Sequence, residues 1–419
     1  MAQKEYTLNE QLERYAELVI KAGCNLQPGQ ELYLAATTDQ VEFARLLTAA
    51  AYKQGARHVT VAFGDERISR MHYDNCALEV FQNIPEWSAL RNNEMARDGA
   101  AILSLTGQDP LIMAGIDPAK PMASAVAGHT ACKEFYDAMD LGRNVWCIVG
   151  AATPAWAKHV FPDLPEDDAM ARLWEAIFTT VRLDADDAIA AWDEHRRTFD
   201  ARKAWLNEQH FDSLHYTNSL GTDLRIGLNP RGIWNGGGDV TRDGVEFFPN
   251  MPTEEVYTTP NFNRVDGTVY SALPLVHNGS LIEDFCVTFK DGRAIASDAR
   301  VGAELLAAII AADEGSCRLG ECALIPYDSP IRNSGVLFYD TLFDENASCH
   351  LALGKGFPDC IDGGMELDET GLHDAGVNDS AVHVDFMVGT KDLNIDGIAA
   401  NGDVVPVFRN GNWAGALSA

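Results

Sequence analysis

The feature that most constrains the fold is a change of texture near residue 210. Before it, apolar runs of strand length alternate with helical stretches. Glu31 to Ala36, His58 to Phe63, Ala100 to Thr106 and Asn144 to Gly150 read as buried strands. Between them Gln40 to Gln54 reads as a helix stopped at Gly55. Ahead of the first strand, Leu8, Leu12, Tyr15, Leu18 and Val19 recur at helical spacing over residues 7–22. Residues 167–209 are helix-rich and read as a hinge or as an outer layer of this part. After residue 210 strands are short, glycines frequent and helices scarce. Ser213 to Leu228, Val245 to Phe248, Gly267 to Leu275 and Glu283 to Phe289 read as strands. Asn278-Gly279 and Asp291-Gly292 are hairpin signals, and one helix is predicted over Val301 to Asp313. The pattern predicts a parallel α/β domain over residues 1–209 with a helical hinge, followed by a β-rich domain over residues 210–419.

Two domains also suit a length of 419 residues. The formal net charge of −30 repels phosphate backbones and anionic lipid, so nucleic acid and membrane surfaces are excluded as partners. The acidity itself reads as a solvated surface. The 9 cysteines are scattered without a Cys-x-x-Cys pair, which fits a reducing cytoplasm rather than a disulfide framework. Cys349 beside His350 reads as a small buried apolar residue. The N-terminus lacks the basic and apolar regions of a signal peptide, and no stretch has the length of a membrane span.

The second half concentrates metal-ligand residue types. Glu254 and Glu255 lie in Met-Pro-Thr-Glu-Glu-Val-Tyr, and Glu321 opens the apolar run Cys322-Ala323-Leu324-Ile325. A carboxylate there needs a metal or an arginine to offset its burial. Glu345 and His350 share one short polar segment, with an offset that requires a turn or loop leading into a helix. His383-Val384-Asp385 lies in a strand-like run, so His383 and Asp385 share a face about 6.5–7 Å apart. Taken alone, such a pair is more often a structural, hydrogen-bonded one. Together these carboxylates and imidazoles suit a divalent cation such as Zn²⁺, Co²⁺ or Mn²⁺. They exceed what one four-coordinate ion needs, and suit two ions with a shared carboxylate, an arrangement that mostly performs hydrolysis. Glu254 and Glu255 point oppositely in extended backbone, so only one faces a given ion.

Other motifs are poor. Asn235-Gly236-Gly237-Gly238-Asp239 and Gly354-Lys355-Gly356 lack the spacing of a phosphate loop and read as turns. Asp392 to Asp396 lacks the glycine and terminal glutamate of a calcium loop. His129, His195, His210, His215 and His277 have no companions at ligand spacing.

At these residues the chain resembles the aminopeptidase T family of two-metal aminopeptidases, which includes the PepS type. The matching text runs through Phe248 to Tyr257, Leu319 to Pro330, Asn346 to Gly354 and His383 to Phe386, with weaker likeness at Thr153 to Ala157 and Leu214 to Tyr216. The segments keep their order. The resemblance implies a cytoplasmic exopeptidase that removes N-terminal residues from short peptides with a free N-terminus. It implies Glu255 as a ligand of one ion, Glu321 as the carboxylate shared by both, and Glu345, His350, His383 and Asp385 as the remaining ligands. It also implies a homodimer whose active sites face an enclosed space. In the mechanism so implied, two ions hold a bridging water. One binds the substrate's α-amine and the other polarises the scissile carbonyl, while Glu254, or Glu255 if it is not a ligand, is a candidate proton shuttle.

One departure bears on activity. The family places a tyrosine where this chain has Phe357, and phenylalanine has no hydroxyl to offer an oxyanion. Tyr327, Tyr339 or a water is then expected to substitute, or activity is reduced. Two rival readings follow from the residues. His350, His383 and Asp385 alone form the two-histidine, one-carboxylate set of a mononuclear Fe(II) ring-cleaving dioxygenase, against which Glu255 and Glu321 argue. The absent tyrosine motivates a non-catalytic metal- or peptide-binding relative.

Overall fold

A computed structural model describes residues 6–117, 119–277 and 280–417. The chain forms two compact units. One comprises residues up to Glu194 together with Gly238–Thr253 and Val336–Leu342, and the other His195–Gly237, Glu254–Gly335 and the residues from Phe343 on. Both draw on sequence from either side of residue 209.

The first unit is a parallel α/β layer. Its five-stranded sheet has the order Asn250–Met251, Trp146–Gly150, Ala101–Thr106, Glu31–Thr37, His58–Gly64, and every pair is parallel. The central strands are apolar runs because both faces are covered, as parallel sheets require. The helices Leu8–Leu18, Val41–Gln54 and Glu166–Thr180 supply an aromatic cluster. Tyr15 stacks on Phe43 at 5.1 Å and meets Phe178 edge-on at 5.9 Å. The buried Tyr15 hydroxyl donates to the Gly150 carbonyl at 3.0 Å, so the ring is buried without stranding its polar end. Asn250–Met251 joins this sheet beside Trp146–Gly150. Two residues carry no periodicity, and nothing in the sequence predicted that pairing.

The second unit packs two antiparallel sheets over one core. The larger runs Leu275–His277, Ser280–Lys290, Pro260–Tyr270, Asp223–Leu228, Ser213–Thr217, Asn394–Ile398, Val404–Arg409, Asn412–Trp413, with Arg293–Val301 also pairing Ser280–Lys290. The smaller has the order His383–Met387, His350–Gly354, Leu319–Leu324, Val256–Thr258, Asn235–Gly236. Phe285 of the larger sheet meets Phe386 of the smaller at 5.8 Å inside a shared apolar core.

Several expectations are corrected here. Arg293–Val301 is a strand, unforeseen because most of its side chains are exposed, and the helix after it starts only at Ala303. Asn235 and Gly236, read as a turn, form the edge strand of the smaller sheet. The hairpin signal at Asp291-Gly292 does close Ser280–Lys290 onto Arg293–Val301, with φ of 49° and 78° at its two central residues. Asn278-Gly279 lies outside the described residues. Among the described residues no helix is long and apolar enough to cross a membrane.

Candidate metal centre

One face of the smaller sheet carries the site. Directly opposed residues in an antiparallel pair share a face. Ala323 stands opposite both His350 and Tyr257, Ala352 opposite both Glu321 and Asp385, and Gly354 opposite His383. Tyr257, Glu321, His350, His383 and Asp385 therefore project to one side. The small Ala323, Ala352 and Gly354 between them leave room. Alternate residues Cys322, Leu324, Leu351, Leu353, Val384 and Phe386 turn the other way into the core.

Glu321 reaches this face through a β-bulge. Leu319 pairs with Leu353 but Glu321 pairs with Ala352, a register shift across Gly320. Without it Glu321 would follow Leu319 into the core; the extra residue re-aims it. A Cβ on Gly320 would lie 2.2 Å from the Lys355 carbonyl oxygen and 2.4 Å from that of Gly354, so the bulge fits only glycine.

The resulting geometry divides Glu321 between two histidines. Its Oε1 lies 3.9 Å from His350 Nε2, and its Oε2 lies 3.1 Å from His383 Nε2. Glu255 Oε2 is 3.3 Å from His350 Nε2, and Asp385 Oδ1 is 3.2 Å from His383 Nε2. Two groups of ligand atoms result, Glu255–Glu321–His350 and Glu321–His383–Asp385, with the atoms of each within 4.8 Å of one another. Glu321 belongs to both.

The far sides of both rings fix their protonation. His350 Nδ1 lies 3.0 Å from the Glu345 carbonyl and 3.2 Å from that of Ser348, and His383 Nδ1 lies 2.8 Å from the Lys355 carbonyl. A carbonyl only accepts, so each Nδ1 carries the proton and each Nε2 faces the carboxylates. A lone pair facing a carboxylate is repulsive unless a second ring proton or a metal ion lies between them. Among the described residues, none of Glu255, Glu321, Glu345 or Asp385 is paired with a lysine or arginine. Asp385 Oδ1 is buried and accepts no hydrogen bond. The donor set thus fits divalent metal, and no arginine relieves Glu321.

Protons show the same need. Burial pushes the Glu321 carboxyl up despite the histidines beside it. Burial, with the charges of Asp385 and Glu255, pushes Glu345 well above the usual carboxylate range. Burial works against charge on His350, but the hydrogen bond to Glu255 and the carboxylates of Glu321, Glu255 and Asp385 outweigh it and hold its pKa well above that of a free imidazole. His383 is likewise raised, burial being outweighed by Asp385 and Glu321. Asp385 goes down, its burial outweighed by His383.

Two residues singled out from sequence stand apart from the close groups. Glu345 ends the helix Thr341–Glu345; its carboxyl joins neither group, although its charge is felt there and its carbonyl holds His350. The following turn leads into the strand His350–Gly354, not into a helix as the spacing predicted, because His350 must sit in register with Ala323. Glu254 points away from Glu255. It is buried, takes Asn346 Oδ1 on its backbone N–H at 2.8 Å, and faces His195 Nε2 at 3.6 Å. His195, read as companionless, is thus beside Glu254. Cys349 is no nucleophile: its thiol meets Ile325 N and O at 3.3 and 3.1 Å, and burial pushes its pKa up to about 12.

Sequence reading missed Tyr257. It follows Glu255 by two residues and shares its face, the same spacing that paired His383 with Asp385. Its ring meets Phe357 edge-on at 5.6 Å, and Phe357 lies 5.0 Å from His383. Burial, then the charges of Asp359, Cys360, Glu255 and Glu321, hold its phenol well above the usual tyrosine range. The expected stand-ins are engaged elsewhere: Tyr327 lies under the Arg332 guanidinium, and Tyr339 against His159.

Residues 8–413 match the family described as thermophilic metalloprotease (M29). The chain is 42% identical to aminopeptidase AmpS of Bacillus subtilis (strain 168) over 97% of its length and 99% of that protein's. It is 40% identical to aminopeptidase T of Thermus thermophilus over 96% of its length and 98% of the relative's. The solved structure of wild-type AmpT from Thermus thermophilus superposes with a TM-score of 0.91 at 39% identity, covering 98% of this chain and 100% of that one. The 2,5-dihydroxypyridine dioxygenase of Pseudomonas putida KT2440 shares the fold alone, with a TM-score of 0.53 at 11% identity over 99% of this chain and 100% of that one.

Proposed function

The chain belongs to the thermophilic metalloprotease family M29, and from that premise we propose that it is a metal-dependent aminopeptidase that takes N-terminal residues from short peptides at a two-ion site. The observation that carries the two-ion reading is the division of Glu321, one oxygen toward His350 and the other toward His383. Glu255 and His350 would hold one ion, His383 and Asp385 the other, with Glu321 common to both and Glu345 completing the set. Zinc, cobalt and manganese all suit carboxylate and imidazole donors. Such a pair, when bound, supplies Lewis acidity and a water acidic enough to give hydroxide near neutral pH.

The chain's own residues do the rest. The carbonyls of Glu345, Ser348 and Lys355 keep both imidazoles turned with Nε2 inward. The four carboxylates balance the charge of two divalent ions, and the neutral α-amine of a peptide with a free N-terminus offers one more nitrogen donor of the kind such ions accept. Glu254 is the candidate for moving the proton, with His195 behind it. Homologues named aminopeptidases at 40–42% identity over nearly the whole chain support the peptide substrate.

The mononuclear dioxygenase reading needs His350, His383 and Asp385 on one ion. The ligand atoms group otherwise: His350 goes with Glu255, and His383 with Asp385. We extend the proposal to a homodimer in the cytoplasm. All nine cysteines are free, which suits a reducing compartment, and sedimentation of the native protein tests the dimer.

The test of the activity pairs free and N-acetylated peptides on chelated protein resupplied with Zn²⁺, Co²⁺ or Mn²⁺. Cleavage of the free peptides alone is expected. Equal cleavage of both, or none of either with every metal, overturns the reading.

A further inference from the structure

Hydrolysis at this site places negative charge on the scissile carbonyl oxygen, and a preorganised hydrogen-bond donor aimed at that oxygen speeds the step. The side chains that converge here are poor donors. The carboxylates only accept when ionised, and both imidazoles spend their Nδ1 protons on backbone carbonyls.

Tyr257 differs from all of them. It stands on the site face of Val256–Thr258, directly opposite Ala323 and two residues beyond Glu255. Its hydroxyl makes no hydrogen bond to another described residue, and across Ala323 the same face carries His350 and Glu321. Tyr257 is half-buried and its hydroxyl is not sealed from solvent, so its proton is free for a group that enters beside it. Its position is fixed from the side. Phe357 packs edge-on against the ring, and the Phe357 backbone is bound at both ends to Thr259, its N–H donating to Thr259 Oγ1 at 2.7 Å and its carbonyl accepting from that hydroxyl at 3.3 Å. Thr259 lies two residues beyond Tyr257, so one short stretch of chain carries the phenol and anchors the ring that braces it. Phe357 in turn leans on His383, closing a chain of ring contacts from the Tyr257 phenol to the ligand group of His383 and Asp385.

We propose that the Tyr257 hydroxyl donates a hydrogen bond to the scissile carbonyl oxygen as it becomes an oxyanion, with Phe357 holding the phenol in place. The proposal rests on the aminopeptidase reading. No bond to the protein forms; the phenol keeps its proton throughout.

The test is Tyr257→Phe in the full chain, resupplied with metal. A donor used only in the transition state lowers kcat and leaves KM nearly unchanged, and the loss is on the order of a hundredfold. Metal content by elemental analysis and the thermal midpoint stay at parent values. A kcat within about threefold of the parent overturns the proposal, and so does loss of metal together with activity, since the hydroxyl would then hold the site rather than the substrate. Calorimetric binding of a phosphinic dipeptide, whose tetrahedral oxygens mimic the oxyanion, gives a readout independent of turnover. Weaker binding by the variant, with unchanged binding of a planar dipeptide product, supports the assignment; equal binding of the phosphinic compound overturns it. A parent protein that cleaves no peptide sinks the aminopeptidase reading, and the phosphinic comparison then decides Tyr257 alone.

Discussion

Glu321 Oε2 lies 3.1 Å from His383 Nε2, while the opposite ring nitrogen of His383 is committed to the Lys355 carbonyl at 2.8 Å. The contact is therefore between a carboxylate and a nitrogen whose proton is already on the other side of the ring. It is stable only with a proton or a metal ion shared between the two, and Glu321→Gln removes the charge that both ligand groups use. This substitution is expected to abolish tight metal binding and reduce peptide turnover by three orders of magnitude or more, on the scale of removing a catalytic group that acts with its neighbours as a unit. Titration of the variant with Zn²⁺, read by calorimetry, checks it; parent-like affinity contradicts it.

Glu254 and Glu255 are adjacent but face different surroundings, and their variants are expected to part company. Glu255→Gln should lose metal along with activity. Glu254→Gln should keep its metal and lose about a hundredfold or more in kcat, as for a missing general acid or base. Elemental analysis beside kinetics separates the two; identical metal loss in both variants contradicts the assignment.

The metal-free protein is expected to weaken as pH rises. His350 and His383 both have folded pKa values well above those of free imidazole. Stability from such groups is full below about pH 6.5 and is lost as pH climbs through the raised folded values. Glu321 and Glu345 act in the same direction, because their raised pKa values make ionisation costly above about pH 4.5 in the fold. Asp385 runs the other way, but its depressed pKa matters only below about pH 4. Thermal midpoints of chelated protein should fall between about pH 6 and 9, and added metal should remove the slope by displacing the protons. A midpoint that rises over this interval contradicts the account.

Gly320 is expected to tolerate no side chain. A Cβ there would press on two backbone carbonyls that cannot rotate away. Gly320→Ala should cost on the order of 1–3 kcal/mol in urea unfolding, and should also loosen metal binding, since the bulge is what turns Glu321 out of the core. Unchanged stability and unchanged metal affinity would falsify this role.

Much of the first unit was legible, and for one reason. Buried parallel strands are continuous apolar runs, so Glu31–Thr37 and Trp146–Gly150 stand out without any partner being known. His383 and Asp385 were legible through the period of two, and Tyr257 was open to the same argument from Glu255. The relation of Glu345 to His350 was not, because a turn has no period. The Gly320 bulge was hidden for a different cause. It is set by the carbonyls of Gly354 and Lys355, which approach from another strand, and no local pattern records that. Asn250–Met251 and Asn235–Gly236 were equally silent, each only two residues long and defined wholly by the strand beside it.

The most direct measurement is the number of ions per chain. Protein loaded with Zn²⁺ or Co²⁺, freed of loose metal and weighed by elemental analysis, should carry two ions per chain. Anomalous scattering from crystals of the same sample should place one beside Glu255 and His350, the other beside His383 and Asp385, with Glu321 between them. A firm value of one ion per chain, lying among His350, His383 and Asp385 with iron preferred, would contradict the account.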